Sequence, residues 1–321
     1  MKPPHRVAVV GAGGFIGKSF VHYLFNKKVP ALAISRSFQW NPDSYFRGGL
    51  HVLVSDLNSL PDQVTHIQDC SLIVYMAGST NLSAAESNPV DDFQSHSDSL
   101  LAFLSRISGH QRLIFFSSGG TVYGEPMNGS SYESDPLNPS SAYGKRNKIL
   151  EEIVFSFCSQ NNIDHMILRL ANPYGLDQLF VKRRGLVLSL MQSCLDHRYI
   201  KIRGSGLQRR DYFSVDDLNF FLSHFVDPMN SFPAEVLNIG SGKSFTAKEV
   251  VSCVTSLLGS EPNVIYSADS DSSDVANSSL DVTLLRKYLA SICPRREIFQ
   301  DLSRELKNFN LEEFYNCSKM I

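Results

Sequence analysis

The segment Gly11-Ala-Gly-Gly14-Phe-Ile-Gly17 follows the apolar run Val7-Ala-Val-Val10 directly and opens into a stretch of helical period, Lys18 to Asn26. A strand that turns into a helix through a nearly side-chain-free loop narrows the possible folds more than any other feature here. Glycines permit the tight turn and let backbone N–H groups approach a ligand at the positive end of the helix. Strand before and helix after are the context of a dinucleotide-binding turn, whose ligand diphosphate rests on those amides. Gly11, Gly13, Gly14, Phe15, Ile16 and Gly17 are therefore candidate cofactor-binding residues.

Further apolar runs stand at 31–34, 52–54, 72–76, 113–116 and 166–170, with segments of helical period between most of them, including 90–107 and 142–158. Alternating strands and helices imply parallel crossovers, and continuous apolar runs imply strands covered on both faces. The predicted fold is α/β: a Rossmann-type doubly wound parallel sheet with a smaller C-terminal substrate-binding lobe. After Asn172 the alternation weakens, turn-forming stretches appear at 203–206 and 238–242, and the low-complexity segment 267–279 reads as a loop. The expected division is a dinucleotide-binding domain over 1–172, to which 211–258 returns, and a substrate lobe made of 173–210 and 259–321.

With 321 residues, 43% of them hydrophobic and 19% charged, the chain can bury a full core. A net charge of only -2 argues against nucleic acid as a partner. The absence of a basic-then-apolar leader or a bilayer-length apolar run leads us to expect a cytoplasmic protein without membrane association. Six scattered cysteines without a C-x-x-C pair read as reduced packing thiols, and no metal site is expected. Between Leu176 and Arg210, however, eight basic residues face two acids, which fits either a solvated face or a small phosphorylated ligand.

The glycine spacing is G-x-x-G-x-x-G, and several later segments occur in a matching order. They are Ser55-Asp-Leu57, Tyr75-Met-Ala-Gly78, Ser117-Ser-Gly-Gly-Thr-Val-Tyr-Gly124, Ser141-Ala-Tyr143-Gly-Lys145, Leu168-Arg-Leu-Ala-Asn-Pro-Tyr-Gly175, Arg210-Asp-Tyr-Phe-Ser-Val-Asp-Asp217 and Asn238-Ile-Gly-Ser-Gly242. On these the chain resembles the extended short-chain dehydrogenase/reductases, particularly the UDP-glucose 4-epimerase-like branch of the NAD-dependent epimerase/dehydratase family, from Val7 to about Leu289. The resemblance implies Asp56 and Leu57 against an adenine, and Met76, Ala77 and Gly78 beside the central part of a nicotinamide dinucleotide. It also implies Asn172 and Arg210 at the diphosphate of a nucleotide sugar, with Arg184 of the basic segment as a further substrate contact. Arg36, after the second strand, stands where an acid would meet an unphosphorylated ribose; it suits a 2'-phosphate and tilts the expectation from NAD towards NADP.

In the family a tyrosine in Y-x-x-x-K exchanges a proton with a sugar hydroxyl while hydride moves to and from nicotinamide. Tyr143 matches the tyrosine, but the lysine position is Asn147, which can hydrogen-bond a ribose yet carries no charge to favour a phenolate. Lys148 lies about 140° round a helix from Tyr143 and is a poor substitute. The serine that assists the tyrosine is replaced by Gly119, leaving Ser118 and Thr121 as the hydroxyls that could serve. The Asp-Glu pair of the dehydratases is Gly120-Thr121 here, so dehydration is the least favoured chemistry. His96 replaces an asparagine near the cofactor region and reads as a packed or solvent-facing residue, and Asp271 replaces a phosphate-gripping arginine.

The expectation is thus an NAD(P)-dependent nucleotide-sugar 4-epimerase using Tyr143. The alternatives are an NADPH-dependent keto-sugar nucleotide reductase, or a binding protein whose catalysis is impaired at Asn147. A homodimer is expected through the helices 90–107 and 143–158, which carry apolar residues on more than one face.

Overall fold

The computed structural model describes residues 6–38, 50–57, 65–78, 82–180, 185–267, 275–293 and 298–318. The strands are β1 (Val7–Val10), β2 (Ala31–Ser35), β3 (Leu50–Val54), β4 (Leu72–Tyr75), β5 (Arg112–Ser118), β6 (Asp164–Leu170), β7 (Asn172–Tyr174), β8 (Ile200–Arg203), β9 (Arg209–Ser214), β10 (Val236–Ile239), β11 (Ser244–Thr246), β12 (Val264–Ser267) and β13 (Asn277–Ser278). The α-helices up to residue 160 are α1 (Phe15–Asn26), α2 (Thr65–Gln68), α3 (Leu82–Ser87), α4 (Pro89–Leu104), α5 (Gly119–Val122) and α6 (Ala142–Gln160).

Seven strands form a parallel sheet flanked by helices in the order β10-β6-β5-β4-β1-β2-β3. Val7–Val10 pairs in register with Ala31–Ile34 on one side and Leu72–Tyr75 on the other, and all four of its residues are buried. This is why these strands read as unbroken apolar runs. Strand order reverses between β1 and β4, the place in a doubly wound sheet where a crevice opens at the carboxyl ends. The expected Rossmann-type fold is the observed one.

Cα packing separates the chain into two compact units: 1–117 with 145–168 and 218–236, and 118–144 with 169–217 and 237–321. In this clustering 118–144, 169–172, 211–217 and 237–258 group with the second unit. The core of the first unit joins strand residues such as Val10, Ile34, Ile73 and Phe115 to Leu100, Phe103 and Leu104 of α4 and Leu150 and Val154 of α6. On the same two helices Leu101, Ile149 and Phe155 remain exposed. The second unit has its own core around Tyr174, Leu188, Met191, Tyr212 and Phe314. Its sheet runs β11-β9-β13, with β7 also paired to β9, and a separate parallel pair joins β8 to β12. Part of the segment read as a loop is therefore strand, at Ser267 and at Asn277–Ser278; residues 268–274, with Asp271, lie outside the described residues. All six cysteines are free thiols, and among the described residues no helix is long and apolar enough to cross a membrane.

Candidate functional site

The predicted site residues are distributed over both units. In the first, the amides of Gly11 and Ala12 both donate to the Ile34 carbonyl, tying the glycine loop to the end of β2. Gly11 has φ +93°, and a Cβ there would lie 2.8 Å from backbone atoms of Met76 and Ala77. A Cβ on Gly13 would run into the Ser37 carbonyl, and one on Gly17 into the Gly11 carbonyl. Each glycine is thus required by close backbone approach. Gly14 is the exposed N-cap of α1, no side chain caps the helix, and its first turn holds no acid. A twelve-residue helix presenting uncapped amides over a cradle without side chains fits a dinucleotide diphosphate.

Around this cradle, Phe15 and Ile16 are half-buried in the first turn of α1, and Arg36 is exposed just past β2. Asp56 is half-buried and follows Ser55, whose amide donates to the Ser35 carbonyl. Leu57, expected against an adenine, packs into the first unit's core. Met76 and Ala77 are half-buried at the outlet of β4, and Gly78 beyond them is exposed.

Asn147 is buried in the first unit. Its Oδ1 accepts a long hydrogen bond, 3.4 Å, from Nη2 of Arg146, a buried guanidinium whose Nη1 lies 2.7 Å from Asp92 Oδ2. One turn further along α6, the buried Glu151 accepts a hydrogen bond from the Ser117 hydroxyl. The sequence reading passed over Arg146, Asp92 and Glu151. The i,i+4 pairs Asp92/His96 and Asn147/Glu151 were its available signals, since such residues share a helix face.

In the second unit, Ser118 is the half-buried residue ahead of α5, and the Thr121 hydroxyl points back to the Ser118 carbonyl at 3.4 Å. Gly119 leaves no room for the serine that the resemblance would place there, because a Cβ would lie 2.7 Å from Leu280 Cδ1 and 2.9 Å from the Arg169 carbonyl. Tyr143 is half-buried in the first turn of α6. Its neighbour Gly144 sits so close to the Thr121 carbonyl that a Cβ would approach it to 2.6 Å, and the Gly144 amide donates to Ser141 Oγ. Gly144 thus packs its backbone against α5, and the Ser141 hydroxyl caps the first turn of α6. A residue missed by the sequence reading, Ser278, places its buried hydroxyl 3.8 Å from a Cβ built on Gly120, and that hydroxyl has no hydrogen-bond partner among the described residues.

Asn172 on β7 donates from Nδ2 to the Asp211 carbonyl, and Arg210 on β9 donates from Nη1 to the carbonyls of Arg209 and Val275. Because β7 pairs with β9 at Asn172↔Tyr212, Asn172 and Arg210 share a face of this sheet. Of the basic segment, Arg198 is paired with Asp196 and Arg209 lies 3.4 Å from Glu249, while Lys201 and Arg203 are exposed. Arg184, with Lys182 and Arg183, lies outside the described residues. A cavity of about 390 Å³ in this unit, lined by Lys243, Arg286, Asp301 and Arg304 among others, contains none of the predicted site residues.

Residues 7–240 match the NAD dependent epimerase/dehydratase family. The chain belongs to that family. As a family member it is 26% identical to dTDP-4-dehydro-6-deoxyglucose reductase of Escherichia coli, over 77% of this chain and 80% of the relative. It is 25% identical to UDP-glucose 4-epimerase of Mycoplasma genitalium, over 97% of each chain. The solved UDP-glucose 4-epimerase of Thermotoga maritima, crystallised with UDP-glucose, shares its fold with a TM-score of 0.81 at 22% identity, covering 97% of this chain and 98% of that one.

Asp211, in the family motif that begins at Arg210, is fully buried and accepts from the Ser241 amide at 2.9 Å, the Ser241 hydroxyl at 2.6 Å and the Gly242 amide at 2.9 Å. Burial pushes its carboxyl up to about 6 against the pull of those hydrogen bonds. An acid bound more tightly to its proton in the folded state than at its unfolded value of about 3.9 stabilises the native form when protonated. That contribution is full below about pH 4 and is lost as pH rises through about 6. Urea unfolding of the wild type and Asp211→Asn is expected to show it: the difference in stability, wild type minus variant, falls by about 2 kcal/mol from pH 4 to pH 7. A difference independent of pH would contradict this assignment.

Proposed function

We propose that the chain is an NAD(P)-dependent nucleotide-sugar 4-epimerase in which Tyr143 moves the proton of the sugar's 4-hydroxyl. The observation that carries this reading is Tyr143 in the first turn of α6, next to Gly144, which packs closely against the Thr121 carbonyl of α5. A nicotinamide dinucleotide, when bound, supplies the acceptor and donor for the hydrogen on the same carbon. Gly11 to Gly17 hold its diphosphate. Asn147, about 40° round the helix from Tyr143, hydrogen-bonds its ribose. Asn172 and Arg210 bind the diphosphate of the nucleotide sugar, where a guanidinium forms paired hydrogen bonds to phosphate oxygens. Ser118 and Thr121 are the hydroxyls available to the sugar.

Gly120-Thr121 in place of two acids argues against dehydration. The Escherichia coli relative's name favours keto-sugar reduction as the second reading. A third reading, binding with impaired catalysis, rests on Asn147 and Gly119. Turnover with and without added reduced cofactor separates the first two: an epimerase returns the hydride it takes and consumes none. Exposed Leu101, Ile149 and Phe155 support a homodimer through α4 and α6, and a monomeric mass at micromolar concentration would count against it.

The experiment that tests the function is a thermal-shift screen with NAD, NADP and a panel of UDP, GDP, dTDP and CDP sugars, since a ligand that binds the native form raises its stability. The reading expects one dinucleotide and at least one sugar nucleotide to stabilise the protein; no shift with any of them rejects it. Exposed Arg36 supports the 2'-phosphate preference. Arg36→Ala is therefore expected to weaken NADP about tenfold, as loss of a charge-assisted hydrogen bond does, and to leave NAD unchanged. Equal effects on both dinucleotides would remove the preference for NADP.

A further inference from the structure

We propose that His96, held by Asp92 and Arg146, is a charge-bearing wall of the dinucleotide cradle and takes up a proton on Nε2 when the dinucleotide binds. The inference rests on the reading that the first unit holds such a cofactor.

Three observations place His96. Its Cδ2 lies 3.9 Å from a Cβ built on Gly78, just beyond the carboxyl end of β4. Gly11, at the carboxyl end of β1, approaches the Met76 and Ala77 backbone on that same outlet. β1 and β4 are the neighbours between which the strand order reverses. The imidazole therefore stands at the crevice where a doubly wound sheet takes its ligand.

The surroundings decide its protonation. Nδ1 lies 2.6 Å from the Asp92 carbonyl oxygen, which can only accept, so Nδ1 carries the hydrogen and Nε2 is the basic nitrogen of the neutral ring. Arg146 Nη1 lies 3.4 Å from each ring nitrogen and is itself paired with Asp92 Oδ2, while Asp92 Oδ1 is 3.6 Å from Nδ1. Burial, followed by the charge of Arg146, holds the imidazole below its ordinary value; Asp92 opposes this and Arg36 adds to it. With two arginines against one aspartate, a third positive charge is disfavoured until an anion arrives. A diphosphate reverses that balance, because a nearby negative charge favours the imidazolium. The proton comes from solvent and forms the Nε2–H bond, no other bond changes, and the dinucleotide should bind more weakly as pH rises.

Titration calorimetry of the whole protein with NAD and with NADP at pH 7, in two buffers of different ionisation enthalpy, counts the protons taken up. The expected result is a buffer-dependent enthalpy equal to a fraction of one proton, and a dissociation constant that rises several-fold from pH 6.5 to pH 8. His96→Asn should still bind the dinucleotide but lose the buffer dependence. Independently of any variant, the His96 ring resonances of the wild type should titrate at higher pH with the dinucleotide than without it. Binding without proton uptake in the wild type, uptake that persists in His96→Asn, or an unmoved His96 titration overturns the proposal while leaving the cofactor reading intact. No heat with either dinucleotide overturns both.

Discussion

Replacing Tyr143 by phenylalanine is expected to lower kcat about 1,000-fold, within the range that a positioned acid/base group contributes. The hydroxyl is the only part removed. The ring, the Gly144 contact with Thr121 and the Ser141 cap of the first helical turn all stay, so the variant should fold and bind as the wild type does. Turnover of the sugar nucleotide identified in the thermal-shift screen should collapse, with its KM changed less than about threefold. Unchanged turnover would remove Tyr143 from the chemistry. The basal rate is informative in its own right, because Asn147 supplies no ammonium to favour a phenolate; a slow wild type would be the consequence of that exchange.

Substituting Gly13 by alanine should act on binding instead. Its methyl group would overlap the Ser37 carbonyl and approach Ser35 Oγ to 2.5 Å, so the loop and the amide end of α1 must move away from β2. Because diphosphate recognition depends on where those amides stand, the affinity for the preferred dinucleotide is expected to fall about 100-fold, or about 3 kcal/mol. Fluorescence titration with the reduced dinucleotide measures this, and a circular-dichroism spectrum confirms the fold. Wild-type affinity in this variant would show that the loop is not the binding element.

The first half of the fold was legible because its physics is local. Buried parallel strands need continuous apolar runs, and Val7–Val10, Ala31–Ile34 and Leu72–Tyr75 are such runs; the loop after β1 needs glycine, and glycine is there. Ser267 and Asn277–Ser278 read as loop because a short strand of small polar residues is made by its partners, Arg203 for one and Arg209 and Arg210 for the other, and not by its own pattern. The site divides the same way. Tyr143, Asn147 and Gly119 could be singled out by their place in motifs. What Gly119 excludes, by contrast, depends on Leu280, and what surrounds His96 depends on Arg146 fifty residues away.

The central claim is that hydrogen leaves a sugar carbon for a dinucleotide and returns to it while Tyr143 manages the proton. Supplying the sugar nucleotide with deuterium at carbon 4 and recovering the 4-epimer tests this most directly. The product should retain the deuterium at that carbon in ordinary water, and Tyr143→Phe should yield almost no product. Deuterium washed out into solvent, or an epimer formed at the wild-type rate by Tyr143→Phe, would contradict it.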